Sequence, residues 1–144
     1  MTRVPINPGP RGEKGDPFNV DAVGPDGQFL GGALAPGVEV SHDALASRAA
    51  QLRSVELTVP AHAIGKNTVA ALQSGLVLGF AGLVDGLVGR IAAELVAQFG
   101  TAPVVVATGG LAPLMADSCR TISEREPDLT VHGLRLAFER QHSR

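Results

Sequence analysis

Pro103-Val104-Val105-Val106-Ala107-Thr108-Gly109-Gly110-Leu111 decides the fold class of this chain. The consecutive valines form a short, wholly apolar run, the habit of a central strand covered on both faces, as in parallel sheets. Gly109-Gly110 follows directly, and Leu111 to about Asp117 carries a helical pattern. Strand, glycine turn and helix in that order mark an α/β protein with more helix than strand. Such a turn is a common contact for phosphate or nucleotide. A plain strand–helix joint, whose glycines only permit close packing, explains the same residues equally well.

Upstream lies Gly65-Lys66-Asn67-Thr68, then a long helical pattern running to about Phe99. Val69, Leu72, Leu76, Leu83, Leu87, Ile91 and Leu95 recur at helical steps and define one apolar face. Gly75, Gly79, Gly82, Gly86 and Gly89 form a second stripe. Each glycine costs a helix about 1 kcal/mol against alanine, so the stripe predicts a close neighbour, such as the same helix of a second subunit. A break into two helices near Gly79 or Gly82 is the alternative. Gly-Lys-Asn-Thr lacks the upstream glycine and the preceding strand of a phosphate-binding P-loop, and it is not read as one. Asp85 lies within the helix and is read as an exposed or interface-paired carboxylate rather than a catalytic one.

Further upstream, Phe18 to Val23 and Gln28 to Leu30 read as strands joined by the turn Gly24-Pro25-Asp26-Gly27, a hairpin. Gly31 to Gly37 reads as a tight loop. Ser41 is placed as the N-cap of a helix from His42 to about Ala50, and Val55 to Val59 as a short strand or extended segment. Residues 1–17 are rich in proline and glycine, with three Gly-X-Y triplets over 9–17, too few for a triple helix; they read as a mobile tail. At the far end, Leu129 to about Gln141 reads as an amphipathic helix.

Composition narrows the function. Of the 144 residues 44% are hydrophobic and 18% charged, which suits a folded domain. The formal net charge of -2 offers no attraction for nucleic acid or an anionic membrane. The absence of Trp and Tyr removes the usual platforms for stacked bases. Cys119 has no second cysteine to pair with, which suits a reducing cytoplasm. His42, His62, His132 and His142 show no metal-ligand spacing. Met1 to Pro10 has no apolar stretch of the signal-peptide kind. Ser74 to Val84, the most membrane-like stretch, falls short of the roughly 20 apolar residues of a span.

The motifs taken in order carry a resemblance. Gly31-Gly32-Ala33-Leu34-Ala35-Pro36-Gly37 comes first, then Leu45 to Leu52, Gly65-Lys66-Asn67-Thr68, Gln73-Ser74-Gly75 and Gly79 to Gly86. Ala107-Thr108-Gly109-Gly110-Leu111-Ala112 and Gly133-Leu134-Arg135-Leu136 complete the series. Over roughly Asn19 to Arg140 this order resembles the type III pantothenate kinases.

The resemblance implies a member of the acetate and sugar kinase, Hsp70 and actin superfamily, with a ribonuclease H-like core in two lobes. It implies ATP-dependent phosphorylation of pantothenate, the first step towards coenzyme A, in a cytoplasmic dimer using Mg²⁺ and a monovalent cation, K⁺ or NH₄⁺. This chain then corresponds to the C-terminal lobe over 18–144, helix-rich with a small mixed sheet, and pairs through helix 68–98. Thr68 and Gly32 match positions at the pantothenate pocket; Thr108, Gly109 and Gly110 match the turn beside the nucleotide. Thr68 or Asn67 as a simple helix cap remains compatible with this.

The family's Asp-x-Gly-Asn-Thr phosphate loop has no counterpart in the sequence, nor has the Gly-x-Asp-Arg segment whose aspartate is the general base. A gapless count sets Glu13-Lys14-Gly15-Asp16 against the family's cation-holding Asp-x-Gly-Thr turn, where Asp16 would bring a negative charge to phosphates. No catalytic residue and no metal ligand is therefore assigned. The expectation is a truncated kinase, inactive alone, or a non-catalytic module that pairs with an intact one.

Overall fold

The computed structural model describes residues 1–7, 17–48 and 55–142. Its centre is a mixed five-stranded sheet in the order β3-β2-β1-β4-β5. The strands are β1 (Arg3–Asn7), β2 (Phe18–Val23), β3 (Phe29–Ala35), β4 (Val104–Ala107) and β5 (Glu124–Arg125). Strands β1, β2 and β3 pair antiparallel, and β4 runs parallel to both β1 and β5. The apolar run Val104-Val105-Val106 thus lies between two parallel neighbours, as its composition predicts.

The tail expected over 1–17 is corrected at its start. Arg3–Asn7 is the middle strand, with Val4 and Ile6 buried and Pro5 in register with Val106. Two alternating apolar residues beside a proline are a weak local signal; long-range pairing with β2 and β4 decides the conformation. The Gly-X-Y triplets and Glu13 to Asp16 fall almost wholly in 8–16, outside the described residues.

The hairpin forms as expected. Gly24 N–H donates to Gln28 O at 2.8 Å, and Gly27 takes the left-handed φ of 80° that its turn requires. The expected tight loop at Gly31–Gly37 is instead mostly strand, because β3 extends to Ala35 along the sheet edge. A bulge opposite Ala22 and Val23 accommodates the extra residue, and Gly31 sits beside it with φ of 119°. A Cβ on Gly32 would collide with the carbonyl oxygen of Val20 in the neighbouring strand.

Helix α1 (Val38–Arg48) starts three residues before Ser41, the expected cap. Ser41 is inside it, its hydroxyl donating back to Gly37 O at 3.0 Å. Residues 55–60 form neither strand nor helix. The remaining helices are α4 (Ala112–Ala116) and α5 (Leu129–His142).

The long helical run is continuous from Thr68 to Phe99: α2 (Thr68–Gln73), a π-helical stretch (Ser74–Leu78) and α3 (Gly79–Phe99). It does not break at Gly79 or Gly82. The wider π turn rotates α3 about its axis, so the buried face is Leu76, Val77, Phe80, Ala81, Val84, Val88 and Leu95. The face expected from Leu83, Leu87 and Ile91 lies one residue round and is half-buried. By length and composition this run could cross a membrane; its buried face belongs to the core instead, where Phe80 meets Phe18 of β2 edge-to-face at 5.2 Å.

Candidate functional site

The segment before α2 is pinned to the helix by the residues of its own motif. Asn67 is the N-cap, its Oδ1 accepting from Ala70 N–H at 2.9 Å. Gln73 Nε2 donates to Glu56 O at 3.0 Å and to Thr58 Oγ1 at 2.9 Å. Ser74 Oγ donates to Ala63 O at 2.6 Å. Gly65 lies so close to the first helical turn that a Cβ there would collide with the Ala71 nitrogen. Gly-Lys-Asn-Thr and Gln-Ser-Gly therefore form one unit: the second motif fastens the loop that carries the first.

This unit frames an open cleft of about 510 Å³ lined by Gly65, Lys66, Asn67, Thr68, Ala71 and Leu72. A second cleft of about 570 Å³ is lined by Ala61, His62, Ala63, Ile64 and Lys66. The cap is Asn67, which resolves the choice between Asn67 and Thr68 for that role. Thr68 is exposed and lines the first cleft, and its hydroxyl makes no hydrogen bond among the described residues.

Of the other expected site residues, Gly32 lies on edge strand β3 paired with Asp21 and does not line the cleft at Thr68. Thr108, Gly109 and Gly110 form the turn between β4 and α4, where Gly109 takes φ of 91°. Thr108 N–H donates to Ile6 O at 2.8 Å, tying the turn to β1. Its side chain is buried, and the hydroxyl has no hydrogen-bond partner among the described residues. A buried orphan hydroxyl costs about 1–3 kcal/mol. A polar ligand at the carboxyl end of β4 would relieve that cost, the place where open α/β sheets bind ligands. ATP phosphates fit that chemistry. Among the described residues no three His, Cys, Asp or Glu side chains come together.

Asp85 is a paired carboxylate, but its partners belong to its own chain and not to an interface. Its oxygens accept from Arg120 N–H at 2.9 and 3.1 Å, Thr121 N–H at 3.0 Å and Thr121 Oγ1 at 2.8 Å, fastening the loop before β5 to α3. Burial pushes its pKa up, but these hydrogen bonds and the Arg120 charge outweigh it and hold the group below its usual 3.8. The neighbouring Cys119 thiol is raised to about 11, by burial first and by the Asp85 charge second.

Comparison with known proteins adds the context. The family model described as type III pantothenate kinase matches residues 15–90. A type III pantothenate kinase of Saccharopolyspora erythraea is 60% identical over 126 residues, 88% of this chain and 48% of that protein. One from Rhodococcus opacus is 58% identical over 125 residues, 87% of this chain and 46% of that protein. The chain thus spans about half the length of the curated relatives it matches. A crystal structure from Campylobacter jejuni, described as a Baf family transcriptional activator, superposes with a TM-score of 0.62 at 15% identity. It covers 99% of this chain and 59% of that one, a likeness of fold alone.

Proposed function

The chain belongs to the type III pantothenate kinase family, and from that premise we propose that it is the C-terminal lobe of such a kinase, contributing a wall of the pantothenate pocket to ATP-dependent phosphorylation. The lobe is of the ribonuclease H-like, actin-like ATPase kind; the mixed five-stranded sheet with its helices supports that reading. The observation that carries the function is Thr68: a hydroxyl without a partner among the described residues, in a cleft whose walls are fixed by the family motifs. It can hold a polar group of pantothenate. Gly32 is a second contact by resemblance, and Thr108, Gly109 and Gly110 belong to the nucleotide side.

ATP supplies the phosphoryl group. The phosphate loop and the Gly-x-Asp-Arg base of the family have no counterpart in this sequence, so turnover requires them from another segment or polypeptide. Mg²⁺, K⁺ or NH₄⁺ and a cytoplasmic setting remain part of the family reading. A second reading, as a dimerisation module, is favoured by the glycine stripe on 68–98. Gly75, Gly79, Gly82, Gly86 and Gly89 are all exposed, with open space where each Cβ would be.

The test is ADP production by the purified chain with ATP, Mg²⁺, K⁺ and pantothenate, with circular dichroism verifying the fold. Folded protein without pantothenate-dependent turnover is expected. Turnover would mean that a carboxylate of this chain, such as Glu13 or Asp21, serves as the base.

A further inference from the structure

Lys66 is the residue of Gly-Lys-Asn-Thr with no part in the cap, in the close packing or in the threonine contact. It lies where the two clefts meet and lines both. No carboxylate stands within ion-pair distance of it among the described residues, and no acidic side chain lines either cleft. Its backbone is held between Gly65, packed on the first helical turn, and the capping Asn67. A lysine on a flexible loop loses side-chain and backbone entropy on binding; here the backbone part is already fixed.

The cleft therefore presents two exposed polar groups of different kind that have no protein partner among the described residues, an ammonium on Lys66 and a hydroxyl on Thr68, two residues apart. A ligand that matches both carries an anionic end and a neutral polar group. Pantothenate has that make-up, with one carboxylate and neutral amide and hydroxyl groups. We propose that Lys66 is a specificity-determining residue that receives the carboxylate of the acid substrate and selects it against neutral analogues; this rests on the pantothenate reading of the cleft. The ammonium donates a charge-assisted hydrogen bond to the carboxylate, which no neutral end group can replace. The motif then divides its labour: glycine for close approach, lysine for the anion, asparagine for the cap and threonine for a neutral group.

The experiment measures binding of pantothenate and of its neutral alcohol analogue to the folded chain by titration calorimetry at low salt. Wild type, K66M, K66R and T68V are compared, each verified as folded by circular dichroism. The expected result is that wild type prefers the acid by about tenfold, that K66M loses the preference by weakening only the acid, and that K66R keeps most of it. T68V should weaken acid and alcohol alike. Equal binding of acid and alcohol by wild type, unchanged in K66M, would overturn the role of Lys66 while leaving the pantothenate reading standing. Binding of neither ligand by folded wild type would overturn the proposal that this chain's own cleft receives the acid, while its reading as one wall of a shared pocket would stand. Binding of both ligands unchanged in T68V would overturn that reading.

Discussion

The hydroxyl of Thr121 donates to the carboxylate of Asp85 at 2.8 Å across 36 residues of sequence. With the Arg120 and Thr121 N–H groups this ties the loop before β5 to the middle of α3. Removing the carboxylate in D85A leaves these donors without their acceptor, and a loss of about 1–3 kcal/mol of stability is expected. Urea unfolding of D85A and wild type at pH 7 measures it. Equal midpoints would show that water replaces the carboxylate fully.

The same pairing fixes a pH dependence. The folded-state pKa of Asp85 is depressed below 3.8, so its contribution is fully present above the unfolded value, near 3.9. It is lost as pH falls through the folded value. The stability gap between wild type and D85N should stay constant from pH 7 to about 5 and close below about 4. A gap that widens on acidification would contradict the depressed pKa.

Cys119 supplies a chemical readout of that loop. With its pKa raised to about 11, little thiolate is present near neutrality, and the thiolate is the reactive form. Iodoacetamide should alkylate the folded chain at pH 8 more slowly than the urea-unfolded chain. D85N should react faster than wild type, because the charge that disfavours the thiolate is gone. Equal rates in all three samples would place the thiol in water.

How much of this is legible in the sequence depends on whether the signal is local. The hairpin turn Gly24 to Gly27 and the apolar run Val104 to Val106 are complete in themselves, and both are readable. Strand β1 is not, since Val4 and Ile6 acquire their conformation only by pairing with segments up to a hundred residues away. The core face of α3 is legible in part: Leu95 is buried, and Leu83, Leu87 and Ile91 pack half-buried against the core. The more deeply buried Phe80, Val84 and Val88 beside them lie outside the sequence reading, because a π turn leaves no mark in a period of 3.6. Gly32 looks like a loop residue because glycine is the usual residue of turns; here it serves close approach to Val20 across the sheet. Thr68 and Thr108 stand out only through the order of the motifs. That Gln73 and Ser74 fasten the loop to the helix is visible only in three dimensions.

The glycines separate two kinds of need, and substitution tells them apart. G65A would put a methyl group into the first turn of α2. It should cost about 1–3 kcal/mol and disturb the cleft at Thr68. G82A and G86A meet nothing within 4 Å in the isolated chain, and each should stabilise a monomer by up to about 1 kcal/mol through helix propensity. If the stripe is a subunit contact, the methyl groups enter that interface instead. Sedimentation would then show weaker self-association for the G82A/G86A chain than for wild type. A chain that is monomeric before and after substitution, and more stable after it, would assign the stripe no partner of its own kind.

Helix α5 sets the last expectation. It has no buried side chain, and Val131, Leu134 and Phe138 are 62%, 67% and 61% exposed along one face. Its internal supports include the stacking of Phe138 on His142 at 3.9 Å, the contact of His142 Nδ1 with Phe138 O at 2.8 Å and the Arg135–Glu139 pair at 3.7 Å. Exposed pairs of this kind contribute only about 0.3–0.5 kcal/mol, and a helix of this length is marginal in water without packing. Hydrogen exchange should therefore be fast at the α5 amides and slow over Val84 to Leu95 of α3, whose inner face is buried. L134D should change global stability by no more than about 0.5 kcal/mol, the range of surface substitutions. Slow exchange in α5, abolished by L134D, would instead show that this face is covered in solution.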